Sequence, residues 1–468
     1  MSETLHIGKT LQRIIKNSKI LCLVDGEHYP PVTKWALDHL IKNKGIIKAL
    51  FFLGGTEKVE NAFEELKSKR IDYRIYKSEK NKKIDFELFE EILKTKELDI
   101  VVDLSDEPVL DYSRRLKMAS LSLKYEKSYL GSDFFFQPPQ RSKILKKPSL
   151  SIIGTGKRIG KTAVGVTVAR LLKNKSFDPV IVCMGRGGPE KPEYINIEKI
   201  DISAKTLLEV VEKGQHAASD YWEDALLAGV STVGCRRCGG GFAGNPFVSN
   251  VIKGAKLTNS LKNKFVIMEG SGSTLPPVRT DQNIVLVGAG QSLRKISGYM
   301  GQYRLMLADL VIVTMCEEPI ADEQKVEEVY KSIKKVNPDV DIALTKFRPQ
   351  PLGNIRKKKV FVATTAPGKI RDKILNYLEK QYSCEVVGYS KHLSNREKLR
   401  KDLDKNLDEC DILLTEIKAA SIDVAAKKAE KMDVDIIFMH NEMKLTGGDI
   451  KNLNEAILNI GERAKRKK

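Results

Sequence analysis

The stretch Pro148-Ser-Leu-Ser-Ile-Ile-Gly-Thr-Gly-Lys-Arg-Ile-Gly-Lys-Thr162 contains a short apolar strand, Leu150 to Ile153, followed by residues too glycine-rich to pack as strand or helix. Gly160-Lys161-Thr162 then opens a helix that continues from Ala163 to Leu172. Strand, loop and helix in that order are the context of a phosphate-binding loop. The backbone N–H groups of Gly154, Thr155, Gly156, Lys157, Arg158, Ile159, Gly160, Lys161 and Thr162 can wrap an anion, and the helix N-terminus adds its own field. Lys161 is placed for the β- and γ-phosphates of a nucleotide such as ATP, and the Thr162 hydroxyl for Mg²⁺.

The spacing departs from the usual phosphate loop, because Thr155 rather than glycine stands five residues before Gly160. Gly-Thr-(x)₄-Gly-Lys-Thr resembles the loop of dethiobiotin synthetase and cobyrinic acid a,c-diamide synthase, ligases of a class that also holds MinD-like ATPases. Downstream, Phe265-Val-Ile-Met-Glu269 reads as a buried strand ending in a carboxylate, followed by Gly270-Ser-Gly-Ser-Thr-Leu-Pro-Pro277. That is the Walker B position, and Glu269 is expected to touch Mg²⁺ directly or through water. The same ligases carry a similar Val-Glu-Gly-x-Gly stretch. Thr274 and Arg279 are near enough in sequence to join the site. The loop alone establishes nucleotide binding and leaves the reaction open.

The 468 residues suggest two to four domains, and 41% hydrophobic with 30% charged residues is ordinary for a soluble protein. A net charge of +19 attracts anions, whether nucleic acid, acidic membrane or polyphosphorylated metabolites. Abundant lysine and scarce glutamine point towards a heat-adapted source. The seven cysteines (22, 183, 235, 238, 316, 384 and 410) are odd in number and scattered, which argues against a disulfide framework and for a reducing compartment. The first residues lack the apolar core of a signal peptide, and no run approaches the roughly 20 apolar residues that span a bilayer. A cytoplasmic protein without membrane or nucleic-acid partners is expected.

Strands and helices alternate throughout, so the predicted class is α/β, a P-loop NTPase domain with a mostly parallel sheet between a smaller N-terminal α/β domain and a C-terminal α/β extension. The expected boundaries are 1–147 (N-terminal domain and linker), 148–379 (ATP-binding catalytic domain) and 380–468. In the first domain, Asp25, Glu27, His28 and Asp103 stand at strand ends, where open sheets bind ligands, or cap turns there. His28 is the favoured substrate contact of the four. Residues 104–147 read as a link with one helix at Tyr112–Ala119, an aromatic patch at Phe134–Phe136 suited to interdomain packing, and a basic run. In the second domain, helices are expected at Ala204–Lys213 and Asp220–Ala228, and Arg186 follows a strand end. Cys235-Arg-Arg-Cys-Gly-Gly-Gly241 has metal-ligand spacing, but no second Cys/His pair completes a zinc site. Arg236 and Arg237 are read instead as guanidinium forks over an open glycine backbone, suited to phosphate. Thr345, Lys346 and Phe347 are expected to end a strand at the nucleobase position, and Arg463 to Lys468 to form a solvated basic tail.

With these pieces in place the chain closely resembles the cyclic 2,3-diphosphoglycerate synthetases of methanogenic archaea. The resemblance spans the N-terminal domain, the Gly154–Thr162 loop, the Cys-Arg-Arg-Cys-Gly-Gly-Gly stretch and the Glu269-Gly-Ser-Gly segment. It implies an ATP-dependent ligase that closes an intramolecular phosphoanhydride in 2,3-diphosphoglycerate, releasing ADP and phosphate. A homodimer is expected. Substrate and ATP together carry about nine negative charges, which demands strong cationic compensation. Lys157, Arg158, Lys161, Arg186, Arg236, Arg237 and Arg279 can supply it, with Mg²⁺ held by Thr162 and Glu269. Lys157, Lys161, Glu269, Arg236 and Arg237 are the expected catalytic set. An amide-forming ligase acting on a carboxylate and a non-enzymatic nucleotide switch stay open as alternatives.

Overall fold

The structure, a computed structural model, describes residues 9–55, 62–68, 73–77, 84–200, 206, 207, 209, 220–418 and 421–468. The expected helix Ala204–Lys213 falls almost entirely outside these residues. The chain forms two compact units, residues 1–139 with 297–306, and residues 140–296 with 307–468. Among the described residues no helix is long and apolar enough to cross a membrane.

The first unit holds a six-stranded sheet. Its strands are β1 (Lys19–Val24), β2 (Ile46–Phe52), β3 (Arg74–Lys77), β4 (Ile100–Asp103), β5 (Ser128–Leu130) and β6 (Phe135–Phe136), in the order β3-β2-β1-β4-β5-β6. Every pair is parallel except the last. The central strands are apolar without alternation because helices cover both faces. Ile20, Cys22 and Val24 pack under α1 (Lys9–Ile15), α2 (Pro30–Lys42) and α3 (Ala62–Ser68), while Leu21 and Leu23 pack under α4 (Phe86–Thr95) and α5 (Tyr112–Lys124). Residues 104–139 are therefore no link. β5 extends the sheet, the Tyr129 hydroxyl donates to Asp103 Oδ2 at 2.7 Å, and Phe134 stacks on Tyr129 with centroids 5.5 Å apart. The aromatic patch belongs to this unit's own core rather than to a seam between domains.

The second unit is built on a 13-stranded sheet. Its members are β7 (Ser149–Gly154), β8 (Pro179–Gly185), β9 (Glu193–Ile195), β10 (Thr232–Cys238), β11 (Val248–Ser249), β12 (Phe265–Glu269), β13 (Gln282–Gly288), β14 (Leu310–Thr314), β15 (Ile342–Pro351), β16 (Lys359–Ala363), β17 (Glu385–Ser390), β18 (Ile412–Thr415) and β19 (Asp435–Gly448). The order is β11-β10-β8-β12-β7-β13-β14-β15-β19-β18-β16-β17, with β9 on β10. From β10 to β15 all pairs are parallel, so the carboxyl ends of β7, β8, β10 and β12 share one edge. The helix α6 (Lys161–Asn174) follows β7, and α7 (Asp220–Ala228) precedes β10.

β19 pairs parallel with β18 over Asp435–Phe438 and then antiparallel with β15 over Met439–Gly448. One long strand thus joins the C-terminal strands to the nucleotide-binding sheet. β16 pairs with β17 and β18, so strand pairing places the change of subassembly after Pro351 rather than at residue 379. The tail is not simply solvated. Leu453–Arg466 is a helix whose Ile457, Ile460 and Ala464 join the core around β7 and α6, and Lys467 Nζ donates to Asp281 O at 2.7 Å.

The C-terminal segment also meets α7 electrostatically. Lys418 Nζ lies 2.7 and 2.9 Å from the two oxygens of Glu223, which is only 5% exposed. Burial pushes the Glu223 carboxyl up and Lys418 pulls it back. Removing the amine strands a buried carboxylate, so Lys418→Met should cost about 2–3 kcal/mol, less than a fully buried pair because Lys418 is about a third exposed. The double variant with Glu223→Gln should recover most of that loss in chemical denaturation. An unchanged midpoint for Lys418→Met would show that the pair contributes nothing.

Candidate active site

The phosphate loop runs from the end of β7 to the start of α6. Gly160 caps α6 with φ +79°, and an ideal Cβ there would lie 2.3 Å from Phe347 Cζ, so both backbone and neighbour require glycine. Thr155, the residue that replaces the usual glycine, is buried. Its N–H donates to Leu286 O at 3.0 Å and its hydroxyl lies 2.7 Å from Gln291 Oε1, tying the loop to β13. Lys161 turns back under the loop and donates to Gly156 O at 3.0 Å. Burial pushes its pKa down to about 8, against the pull of Glu269 and Asp220, and Arg186 and Arg237 push the same way as burial. Ile159 is buried, whereas Lys157 and Arg158 are exposed.

Glu269 ends β12, paired with Ile152 of β7 and Cys183 of β8. Its carboxylate sits over α6 at Gly165, where an added Cβ would come within 1.8 Å of Oε1. Gly165 and Thr162 are three residues apart and share a helix face. Glu269 Oε1 and Asp224 Oδ1 are buried without hydrogen-bond partners. Ligand atoms of Cys183, Asp224 and Glu269 all lie within 4.8 Å of one another, and the Cys183 thiol donates to Asp224 Oδ2 at 3.1 Å. Burial raises the pKa of both carboxyls, with repulsion from Asp224 and Asp220 adding at Glu269 and repulsion from Glu223 and Asp220 adding at Asp224. Orphaned oxygens of this kind, with the Thr162 hydroxyl on the same side, fit a hard divalent cation.

Sequence reading missed Asp220 and Asp224. Both lie on α7, and Asp220 Oδ2 stands 3.5 Å from where a Cβ of Gly185 would be, at the end of β8. The available signal was carboxylates at 220, 223 and 224, the i, i+3, i+4 spacing of one helix face, among Tyr221, Trp222, Ala225 and Leu227. Acidic residues on a helix's apolar side point inward, as the buried Glu223 and Asp224 do, while Asp220 at the first turn is exposed.

Beside the loop lies a cavity of about 330 Å³ lined by Gly156, Lys157, Arg237, Gly240, Gly272, Ser273, Thr274 and Lys295. Arg237 and Arg236 alternate along β10, so only one can face it. Arg237 reaches in, its Nη2 donating to Ser271 O and Oγ at 2.9 and 3.0 Å and its Nη1 to Gly239 O at 2.9 Å. Arg236 is exposed and does not line the cavity. Lys295, which sequence reading did not single out, lies on the helical turn Leu293–Ile296, with Nζ 3.3 Å from a Cβ built on Gly156. Arg186 is exposed after β8, near enough to influence both Lys161 and Arg237.

Other expectations are corrected. Arg279 stands three residues before β13, at the amino edge of the sheet, where its N–H donates to Ser142 O. Six-residue strands at about 3.3 Å per residue put that edge roughly 20 Å from the loop. His28 lies in the first unit, where its contacts are the carboxylates of Asp25 and Asp106, not a phosphate-binding group. Thr345, Lys346 and Phe347 do not end a strand, because pairing with β19 carries β15 on to Pro351. The Thr345 hydroxyl donates to Val313 O at 3.0 Å, and Phe347 supports Gly160. Cys235 is buried against α8 (Val251–Thr258) at Gly254 while Cys238 is exposed, so the two sulfurs do not face one site.

Comparison with known proteins places this geometry. Three sequence families match, described as the N-terminal domain (residues 19–137), the P-loop domain (149–346) and the C-terminal domain (351–442) of cyclic 2,3-diphosphoglycerate synthetase. The chain belongs to the cyclic 2,3-diphosphoglycerate synthetases. It is 46% identical to the cyclic 2,3-diphosphoglycerate synthetase of Methanothermus fervidus, over 96% of this chain and 98% of that one. It is 47% identical to that of Methanothermobacter thermautotrophicus, over 95% and 96%. Among solved structures, LpxK from Aquifex aeolicus in complex with ATP is similar at 16% identity, covering 69% of this chain and 90% of that one, with a TM-score of 0.39. Within this synthetase family the buried acid–base cluster under the loop belongs to the P-loop domain, as do Arg237 and Lys295.

The depressed Lys161 pKa has a kinetic consequence. The charged amine is the form that meets phosphate, so kcat/KM for ATP, which reports the free enzyme, should fall as pH rises through about 8. Bound phosphates raise the amine's pKa, so kcat should hold to higher pH. A kcat/KM profile flat to about one and a half pH units above that value would contradict the assignment.

Proposed function

We propose that this chain uses ATP to close an anhydride between the two phosphates of 2,3-diphosphoglycerate, releasing ADP and phosphate, and that the cavity beside the P-loop holds the diphosphoglycerate. The observation carrying this reading is the cavity's lining, in which Lys157, Arg237 and Lys295 converge on a space bounded by Gly156, Gly240 and Gly272. A small, cation-walled cavity that shares Gly156 and Lys157 with the nucleotide loop suits a compact polyanion next to the γ-phosphate. It is unsuited to an apolar carboxylate.

In this reading Lys161 meets charge on the transferred phosphoryl group, and the loop N–H groups from Gly154 to Thr162 hold the β- and γ-phosphates. Mg²⁺, bound through Thr162 and Glu269, supplies neutralisation of phosphate charge. A substrate phosphate oxygen attacks the γ-phosphorus and ADP leaves. The substrate's second phosphate then attacks the inner phosphorus of the new pyrophosphate and expels the outer phosphate. Both reacting phosphates sit on one three-carbon skeleton, so the second step needs little further ordering. No side chain acts as a nucleophile. Lys157, Arg237 and Lys295 hold substrate charge, and Arg186 adds to the field from the end of β8.

A cytoplasmic homodimer completes the proposal. All seven cysteines are free thiols, which suits a reducing compartment. Phe242, Phe247 and Val248 are exposed beside the short edge strand β11, which supports a subunit contact there.

Phosphorus NMR of the protein with ATP, Mg²⁺ and 2,3-diphosphoglycerate should show a cyclic pyrophosphate-type signal growing with ADP and phosphate. ADP release that ignores the diphosphoglycerate would contradict the reading. The arginines separate further. Arg237→Lys keeps the charge and loses the fork, so kcat/KM for diphosphoglycerate should drop ~10²-fold with little change in KM for ATP. Arg236→Lys should stay close to wild type. The reverse ranking would move the substrate out of this cavity.

A further inference from the structure

We propose, on the reading of the reaction given above, that Gln291 is a further catalytic residue: its carboxamide N–H donates to the phosphoryl group passing from ATP to the substrate, and Thr155 aims it. Thr155 is the buried residue that stands where a phosphate loop usually has glycine.

The strand β13 lies beside β7, so the turn from Gly288 to Gln291 leaves the sheet at the same edge as the phosphate loop. Gln291 closes that turn. Its N–H donates to Gly288 O at 3.0 Å, and its Oε1 accepts from the Gly288 N–H at 2.9 Å. Thr155 holds the same oxygen. Its N–H donates to Leu286 O at 3.0 Å, and its one hydroxyl proton goes to the nearer of two acceptors, Gln291 Oε1 at 2.7 Å rather than Leu286 O at 3.0 Å. A backbone N–H only donates, so the atom facing Gly288 has to be the amide oxygen. The amide cannot flip, and Nε2 is turned away from the scaffold.

It is turned towards Gly156. A Cβ built on Gly156 would lie 2.6 Å from Gln291 Nε2 and 3.3 Å from Lys295 Nζ. Gly156 does not have a positive φ, so its backbone does not require glycine; the missing side chain leaves room for these two donors. Among the described residues no acceptor meets Nε2. Gly156 O is already taken by Lys161 Nζ at 3.0 Å. Lys161, Lys295 and Gln291 thus bring donors to one loop residue, and what they lack is an oxyanion.

A scaffold role uses only the amide oxygen. Glutamate would offer the same acceptor to Gly288 and Thr155, so closing the turn does not call for an amide. Glutamate would also set a negative charge against the phosphates. A neutral donor fits the transfer itself. The bond from phosphorus to the ADP oxygen breaks as the bond to the substrate phosphate oxygen forms, ADP keeps the electron pair, and no proton moves. Charge on the phosphoryl oxygens must be held throughout, and a donor fixed beforehand does so without reorganising.

The test compares steady-state turnover in Gln291→Met, Thr155→Val and the double variant, with ADP and cyclic product measured in parallel. Gln291→Met removes the donor at similar length, so kcat should fall at least ~10-fold with KM for ATP near wild type. Thr155→Val keeps the shape and loses the hydroxyl that aims the amide, so kcat should fall by a smaller factor. Thr155→Ser, which restores the hydroxyl, should recover most of that loss. In the Gln291→Met background, Thr155→Val should lower kcat no further. Gln291→Glu keeps both scaffold bonds, and therefore the fold, and should lose at least as much as Gln291→Met. Wild-type kcat in either Gln291 variant, or effects that multiply in the double variant, would overturn the proposal. ADP formation reports the transfer whatever accepts the phosphoryl group. A wild type that makes ADP but no cyclic product would therefore overturn the substrate assignment, while the ADP rates would still decide the role of Gln291.

Discussion

A half-buried ammonium group facing the buried Glu269 carboxylate at the carboxyl edge of the parallel sheet is the constraint around which the second unit is arranged. Lys161 can lie under the phosphate loop only because Gly156 O accepts from it and Glu269 and Asp220 supply negative charge nearby. Glu269 can lie over α6 only because residue 165 is glycine. Neither group is comfortable by itself, since burial drives the amine towards neutrality and the carboxyls towards protonation. The phosphates of ATP relieve the amine, and the proposed Mg²⁺ relieves the carboxyls.

The positive charge needed for two polyanions is divided between layers. Lys161 sits beneath the loop, and Lys157, Arg237 and Lys295 stand around the adjoining cavity. Arg237 is anchored by the backbone of Gly239 and Ser271, which fixes the direction of its fork before any ligand arrives. The first unit has opposite character at its own sheet edge, where carboxylates dominate. A net charge of +19 therefore says little about any one site.

Local signals were readable wherever one segment carried its own context. The strand, glycines and helix around Gly154–Thr162 are contiguous, and so are the strand and carboxylate of Phe265–Glu269. Features assembled from distant segments were harder. Asp224 reaches Glu269 only because β8 lies beside β12, and nothing within Asp220–Ala228 names that neighbour. Arg279 follows the Gly270–Pro277 turn closely in sequence, yet the chain has by then crossed to the opposite edge of the sheet. Strand alternation, readable in Thr232–Cys238, does separate Arg237 from Arg236, provided one knows which face carries the cavity. β15 was cut short because its continuation depends on pairing with β19, almost a hundred residues away.

The central claim is that the phosphoryl group passes to the substrate and that phosphate is expelled by ring closure, with no water involved. The most direct measurement is turnover in ¹⁸O-enriched water, with mass analysis of the phosphate released. Three of its oxygens should come from the ATP γ-phosphoryl group and the fourth from a phosphate of 2,3-diphosphoglycerate, so solvent label should be absent. One solvent oxygen in each phosphate formed would mean that ATP is hydrolysed and that its energy reaches the ring by another route.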